Sequence, residues 1–374
     1  MQRFFLCLAV LAAALYGIPP ALATDGSTGG GARLAQSATD PFPRPWQGAH
    51  VALLLPLNSP DFQRAAEMVR QGFLVAAGMP AQAPLPTRVY ATGAGSDDTL
   101  LAYQDALRNG ASVVVGPLTR DGVATLAASG LVSVPTLALN AIDASTALLP
   151  SELYFFGLSV EAEARQLARI AYAADRTRAF IVSSGTPLAN RVRDAFAVAW
   201  QSFGGTIDGE FLPLSAGPEL WPELRRQIQG PDAVALLAME FDRARLIRPY
   251  IDPVVPVYAT SLVNQTGGSG VGSFDLNGVR FIDMPWVLTP ERPSVKAFPR
   301  PEPGVGIELE RLYALGIDAY RLALEVARLP EPGSFMLDGV TGEVTLGPRR
   351  QFQRDLPLAE FAGGAVRLVL PGSR

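Results

Sequence analysis

Few residues in this chain are of a type and spacing that could carry out a reaction. The single histidine, His50, opens the apolar run 50–57 (HVALLLPL). A zinc or copper site gathers several His, Cys or carboxylate ligands, and a Ser-His-Asp triad needs a histidine oriented by a partner. A lone histidine at the amino end of a strand meets neither need, and a surface or edge position is expected. Three close acid pairs could divide general-acid and general-base roles: Asp97 with Asp98, Glu161 with Glu163, and Glu308 with Glu310. Glu161 and Glu163 fall in the first turn of a predicted helix after Ser159, where capping and the helix dipole account for acids. The other two pairs read as solvated faces. The glycine run 267–272 (GGSGVG) would cradle a phosphate only if it opened a helix, which it does not, so it reads as a surface loop. No Gly-x-Ser-x-Gly and no phosphate-binding loop ending in Lys-Ser/Thr occurs. No catalytic, metal or cofactor-binding residue is assigned, and no enzyme is expected.

What remains is a set of polar groups at strand ends. Strands and helices alternate from residue 50 onward. Predicted strands are 50–57, 88–91, 111–115 and 135–140, then 178–183, 206–211, 233–238 and 255–260. Predicted helices fill the gaps at 61–78, 97–109, 120–129, 160–174, 187–203, 218–229 and 241–250, with a long one at 307–328 and short strands over 341–370. Two successive βαβα blocks imply a two-lobed α/β fold, each lobe a parallel sheet flanked by helices. Ligands of such sheets lie beyond the carboxyl ends of the strands, here in a cleft between the lobes. The residues at those places are Asn58 and Ser59, Leu118 and Thr119, and Asn140 and Ala141 in the first block. Ser184, Gly185, Glu240, Thr260 and Ser261 take the equivalent places in the second. Their hydroxyls, N–H groups and one carboxylate could hold a small polar ligand.

The 374 residues are 48% apolar and 18% charged, enough for a sizeable core. The amino terminus reads as a signal: Arg3, an apolar stretch too short to span a bilayer, then Ala21-Leu22-Ala23 as the cleavage site. The expected segments are a signal peptide at 1–23 and a flexible leader at 24–48. The only cysteine, Cys7, lies inside the apolar stretch, badly placed for lipidation, so a cleaved periplasmic chain without a lipid anchor or disulfide is expected. No later stretch predicts a transmembrane helix. Net charge is −4, and one more negative without Arg3, which disfavours nucleic acid as a partner.

Several segments carry a family resemblance. The run 50–57 with 64–78 (RAAEMVRQGFLVAAG) resembles the opening of type I periplasmic binding proteins. VVGPL at 114–118, PTLALN at 135–140 and FGLSVEAEAR at 156–165 are more specific. RLIRP at 245–249, VYATS at 257–261, LNGVRF at 276–281 and DMPW at 283–286 follow, with RLYALGIDAY at 311–320 and LDGVTG at 337–342. Together they are similar to the C-terminal domain of LpoA-like penicillin-binding protein activators, the LppC family. The resemblance implies a type I periplasmic-binding-protein-like fold with one lobe at 49–157 plus 290–350 and the other at 158–289 plus 351–374. It implies a non-enzymatic regulator that contacts a class A penicillin-binding protein in peptidoglycan synthesis. A small polar ligand or a peptidoglycan fragment could occupy the cleft. The alternative is a solute-binding protein for an ABC importer of an amino acid or similar small polar ligand. Against that alternative, Leu118 is apolar and Thr119 is the only hydroxyl of its segment. The family's longer members carry a helical-repeat domain and a lipidated cysteine, whereas here only about 25 residues separate the expected cleavage site from the first strand. Trp286 of DMPW is expected in the core rather than as an exposed anchor.

Overall fold

The computed structural model describes residues 48–79, 85–93, 95–142, 149–265, 271–328, 330–331, 333 and 335–370. The expected signal peptide, Cys7, nearly all of the leader and residues 267–270 of the glycine run lie outside the described residues.

The first sheet is built from the first block. Strand β1 (His50–Leu55) is buried at all six positions, which is what an apolar run without alternation requires: helices on both faces. Helix α1 (Gln63–Ala77) leads to β2 (Thr87–Ala91), and α2 (Ser96–Arg108) to β3 (Ala111–Val115). Helix α3 (Arg120–Ala128) leads to β4 (Thr136–Ala138), which is followed by β5 (Leu153–Phe155). All five strands are parallel, in the order β2-β1-β3-β4-β5.

The second sheet begins with α4 (Val160–Ala173), β6 (Arg178–Ser183), α5 (Pro187–Ser202) and β7 (Thr206–Phe211). Short helices α6 (Pro213–Ala216) and α7 (Trp221–Gln227) precede β8 (Ala233–Ala238), and α8 (Phe241–Ile247) precedes β9 (Val257–Ala259) and β10 (Val279–Ile282). Two one-turn helices, α9 (Pro285–Leu288) and α10 (Pro293–Lys296), lead to the long α11 (Ile307–Val326). Strands β11 (Met336–Asp338), β12 (Glu343–Leu346) and β13 (Phe352–Asp355) form a small antiparallel sheet of their own. The chain then returns to the second sheet as β14 (Leu358–Ala362) and β15 (Ala365–Leu368). That sheet has the order β15-β14-β10-β9-β8-β6-β7. Its five inner-block strands are parallel, but β14 and β15 are antiparallel additions at one edge.

Two predicted helices are interrupted, both at proline. The segment expected to be helical over 218–229 is a 3-10 turn (Pro218–Leu220) followed by α7, which starts at Trp221-Pro222. The segment expected over 241–250 ends its α-helix at Ile247, and Arg248–Tyr250 is a 3-10 turn around Pro249. Proline has no N–H to continue the ladder. His50 is also not where expected. It is fully buried; its Nδ1 donates to the Gly48 carbonyl at 2.7 Å, so in the neutral ring Nε2 accepts from the Tyr90 hydroxyl at 2.9 Å. Trp286 is buried, as expected. Among the described residues, no helix is long and apolar enough to cross a membrane.

Helix α11 comes late in the chain yet covers the first sheet. It buries residues on most of its circumference, including Tyr313, Leu315, Gly316, Ile317 and Tyr320, and it crosses α1 at backbone contact. A Cβ on Gly72 would sit 1.9 Å from the Tyr313 carbonyl oxygen, and one on Gly316 would sit 2.1 Å from that of Val69. Both glycines exist for this approach. In an exposed helix, Gly to Ala stabilises by about 1 kcal/mol. Here the sign reverses: Gly316→Ala is expected to destabilise the fold by about 1–3 kcal/mol through overpacking. A lower urea midpoint at unchanged m-value would show it.

Candidate functional site

The strand-end residues fall into three separate groups. In the first, Leu118 is buried, and its carbonyl accepts from Asn140 Nδ2 at 3.1 Å. Asn140 Oδ1 in turn accepts from the Ala141 N–H at 3.0 Å. Thr119 is the N-cap of α3, its Oγ1 accepting from the Gly122 N–H at 3.2 Å. In the second, Ser184 and Thr186 both donate to Glu240, at 3.5 and 3.2 Å. Gly185 turns the chain at φ +73°, and its N–H donates to Ser183 Oγ at 3.1 Å. In the third, Thr260 and Ser261 run inward: Thr260 is fully buried, and the Ser261 N–H donates to Glu163. Asn58 stands apart. Its N–H donates to the Thr92 carbonyl at 3.0 Å, and it borders an open hollow of about 530 Å³ between β2 and α2, lined by Arg88, Tyr90, Asp98 and Asp105. Ser59 is buried beside it, its hydroxyl without a hydrogen-bond partner.

The helices of the two sheets meet at Glu161, in the first turn of α4. Its Oε1 accepts from Arg120 Nη2 at 2.8 Å, from α3, and from Arg191 Nε at 2.6 Å, from α5. Its Oε2 accepts from Ser159 Oγ at 2.8 Å. Burial by itself would raise this carboxyl. The hydrogen bonds from Arg191, Ser159 and Arg120 outweigh it and hold the pKa at about 2. Beside this cluster lies a cavity of about 20 Å³, bounded by Arg120, Asn140, Phe156, Ser159 and Phe352 among others, room for about one water. Small-molecule pockets run to roughly 300–1,000 Å³.

Two residues further on, Glu163 has the opposite environment. It is buried, and burial pushes its carboxyl up, opposed by Arg354 at 3.9 Å and by the Ser261 N–H. It borders a network that ties α11 to the second sheet. Arg311 donates through Nε to Asp283 Oδ1 at 3.1 Å and through Nη2 to Oδ2 at 2.6 Å. The same Nη2 also donates to the carbonyls of Ser261 and Asn264. Asp283 further accepts from Asn264 Nδ2 and the Met284 N–H. Two turns further along α11, Asp318 is fully buried and accepts from the N–H groups of Val340 and Thr341 and from the Thr341 hydroxyl.

Sequence reasoning treated Glu161 and Glu163 as helix-start acids and assigned no role to Arg120, Arg191, Asp283, Arg311 or Arg354. A signal was present. Glu163 lies on the buried stripe of α4 with Ala164, Leu167, Ala168 and Ala171, and Arg311 shares the apolar stripe of α11 with Leu315 and Leu322. A charge on such a stripe must be paired. Among the described residues, no group of three or more His, Cys, Asp or Glu could hold a metal ion.

The family model described as "LppC putative lipoprotein" matches residues 46–211 and 217–364. The chain belongs to the LppC family. Among its members, the penicillin-binding protein activator LpoA of Haemophilus influenzae is 26% identical over 325 residues, 85% of this chain and 55% of that protein. The chain therefore spans about half the length of the curated relatives it matches. The solved C-domain of that H. influenzae LpoA superposes with a TM-score of 0.71 at 26% identity, covering 86% of this chain and all of the domain. A Chromobacterium violaceum structure described as a "putative branched-chain amino acid ABC transporter" has a TM-score of 0.71 at 37% identity, covering 84% of this chain and all of that one. The type I periplasmic-binding-protein-like fold of this LppC chain is common to these structures.

Glu161 titrates far below its usual range in the folded chain, so the fold favours its ionised form. Its stabilisation is complete above about pH 4.5 and is lost as pH falls toward 2. The linkage sets a ceiling of about 3 kcal/mol, and solvent around the two half-exposed arginines lowers it. Glu161→Gln is expected to remove this part of the acid limb. Urea midpoints of the two proteins should differ most at pH 5–7 and converge toward pH 2.

Proposed function

We propose that this chain is a non-enzymatic regulator that activates a class A penicillin-binding protein in peptidoglycan synthesis by binding it directly. The observation that carries the reading is the LppC match across almost all of the folded region. The H. influenzae C-domain that superposes on it is described as a regulator of PBP1A. The reading carries a location with it: the periplasm, reached by cleavage after residue 23 and without lipid on Cys7. The test is cross-linking of lipid-linked precursor by the class A synthase of the same organism. Adding the mature protein is expected to raise the cross-linked fraction severalfold. No change, together with no co-purification of the synthase, would sink the proposal.

A second reading is favoured by the C. violaceum likeness: solute capture for an ABC importer. It would use Asn58, Ser59, Leu118, Thr119, Asn140 and Ala141 on one side, and Ser184, Gly185, Glu240, Thr260 and Ser261 on the other. Thermal unfolding in the presence of leucine, isoleucine or valine separates the two. A regulator is expected to give no saturable shift up to about 100-fold over a micromolar affinity, where true binding adds roughly 2.7 kcal/mol. A shift of several degrees would move the assignment to solute capture.

A further inference from the structure

Two arginines and a serine surround one carboxylate where the helices of the two sheets meet, and the carboxylate belongs to the chain itself. We propose that Arg120, Arg191 and Ser159 form a carboxylate-binding site whose resident ligand is Glu161, so that these donors are held by an internal group instead of a solute. The proposal is independent of the regulatory reading above.

Three observations lead there. First, the donors come from different elements. Arg120 opens α3, which flanks the first sheet, while Arg191 sits on α5 of the second. A local role in starting α4 needs neither, because the Ala162 N–H is already capped by Ser159 Oγ at 3.2 Å. Second, the charges do not balance. Both guanidinium groups address the same oxygen, Oε1, at 2.8 and 2.6 Å, and the serine hydroxyl takes Oε2. Among the described residues, Glu161 is the only acid within ion-pair distance of either arginine. Charge-assisted donors arranged this way are how proteins hold free carboxylates. Third, the internal ligand has the size of a free one. A cavity of about 20 Å³ is bordered by Arg120 and Ser159. Truncating Glu161 to alanine removes a CH2 and a carboxylate, the heavy atoms of acetate.

That correspondence supplies the test. Glu161→Ala is expected to lower the Tm of the mature protein by about 2–6 °C. Sodium acetate, raised to about 300 mM, is expected to recover at least half of the loss in a saturable way, whereas sodium chloride at equal ionic strength only screens charges and does not. Adding Arg191→Ala to Glu161→Ala should abolish the recovery. An unchanged Tm in Glu161→Ala would overturn the proposal, and so would a loss that acetate and chloride relieve equally. If Glu161→Ala does not fold in buffer, refolding yield reads the same site. Acetate must raise that yield above chloride, and equal yields would overturn the assignment. Failure of the synthase to respond to the wild-type protein leaves this result untouched.

Discussion

A buried guanidinium must find its counter-charge inside the protein, and that requirement organises this molecule at Arg311. The residue sits on a helix that covers the first sheet, but its partners, Asp283 and the carbonyls of Ser261 and Asn264, lie at the strand ends of the second. Removing water from both charges costs several kcal/mol per ion, and only good geometry with further hydrogen bonds offsets it. The geometry here is good: both carboxylate oxygens of Asp283 are bonded by Arg311, and the remaining lone pairs are taken by Asn264 and Met284. Apolar packing joins α11 to α1 and the first sheet. The ion pair ties the same helix to the second.

The polar groups that the fold directs to its strand ends are therefore divided in their employment. Thr119 caps α3, Asn140 braces the Leu118 carbonyl, and the Ser261 N–H donates to Glu163. Ser184, Thr186 and Glu240 satisfy one another at the edge of the second sheet. Where the two sheets' helices meet, the side chains that might have gripped a solute grip Glu161. A fold shared with solute receptors does not fix what its strand-end groups do, since function resides in the groups grafted on the fold and not in the architecture.

Much of the architecture was legible because β1 and β8 are unbroken apolar runs, and α4 and α5 start at hydroxyl caps followed by helical spacing. Some of the shortest elements were not. Strand β5 (Leu153–Phe155) and the one-turn helices α9 and α10 are too short to show a period. The roles of Glu161 and Glu163 were hidden for a different reason. Their first-turn positions have a sufficient local explanation, and the arginines that define them are between 30 and 191 residues away in distinct elements. His50 was misplaced likewise: nothing near it in sequence announces Tyr90, whose hydroxyl makes its burial affordable. Periodicity reports which side of an element is covered and is silent about what covers it.

The crossing of α1 with α11 has a consequence for how the chain can come into being. Gly72 lies against the backbone of Tyr313, and Gly316 against that of Val69, each more than 240 positions away in sequence. A polypeptide made, or threaded through a pore, from its amino end presents β1 and α1 long before the helix that covers them exists. Until residue 316 emerges, Phe73, Val69 and Ala66 have no α11 to face. Such a vectorial chain exposes an apolar flank for most of its emergence, and its first sheet is completed by nearly its last helix. Completion of the first sheet's core therefore waits on sequence made late in synthesis.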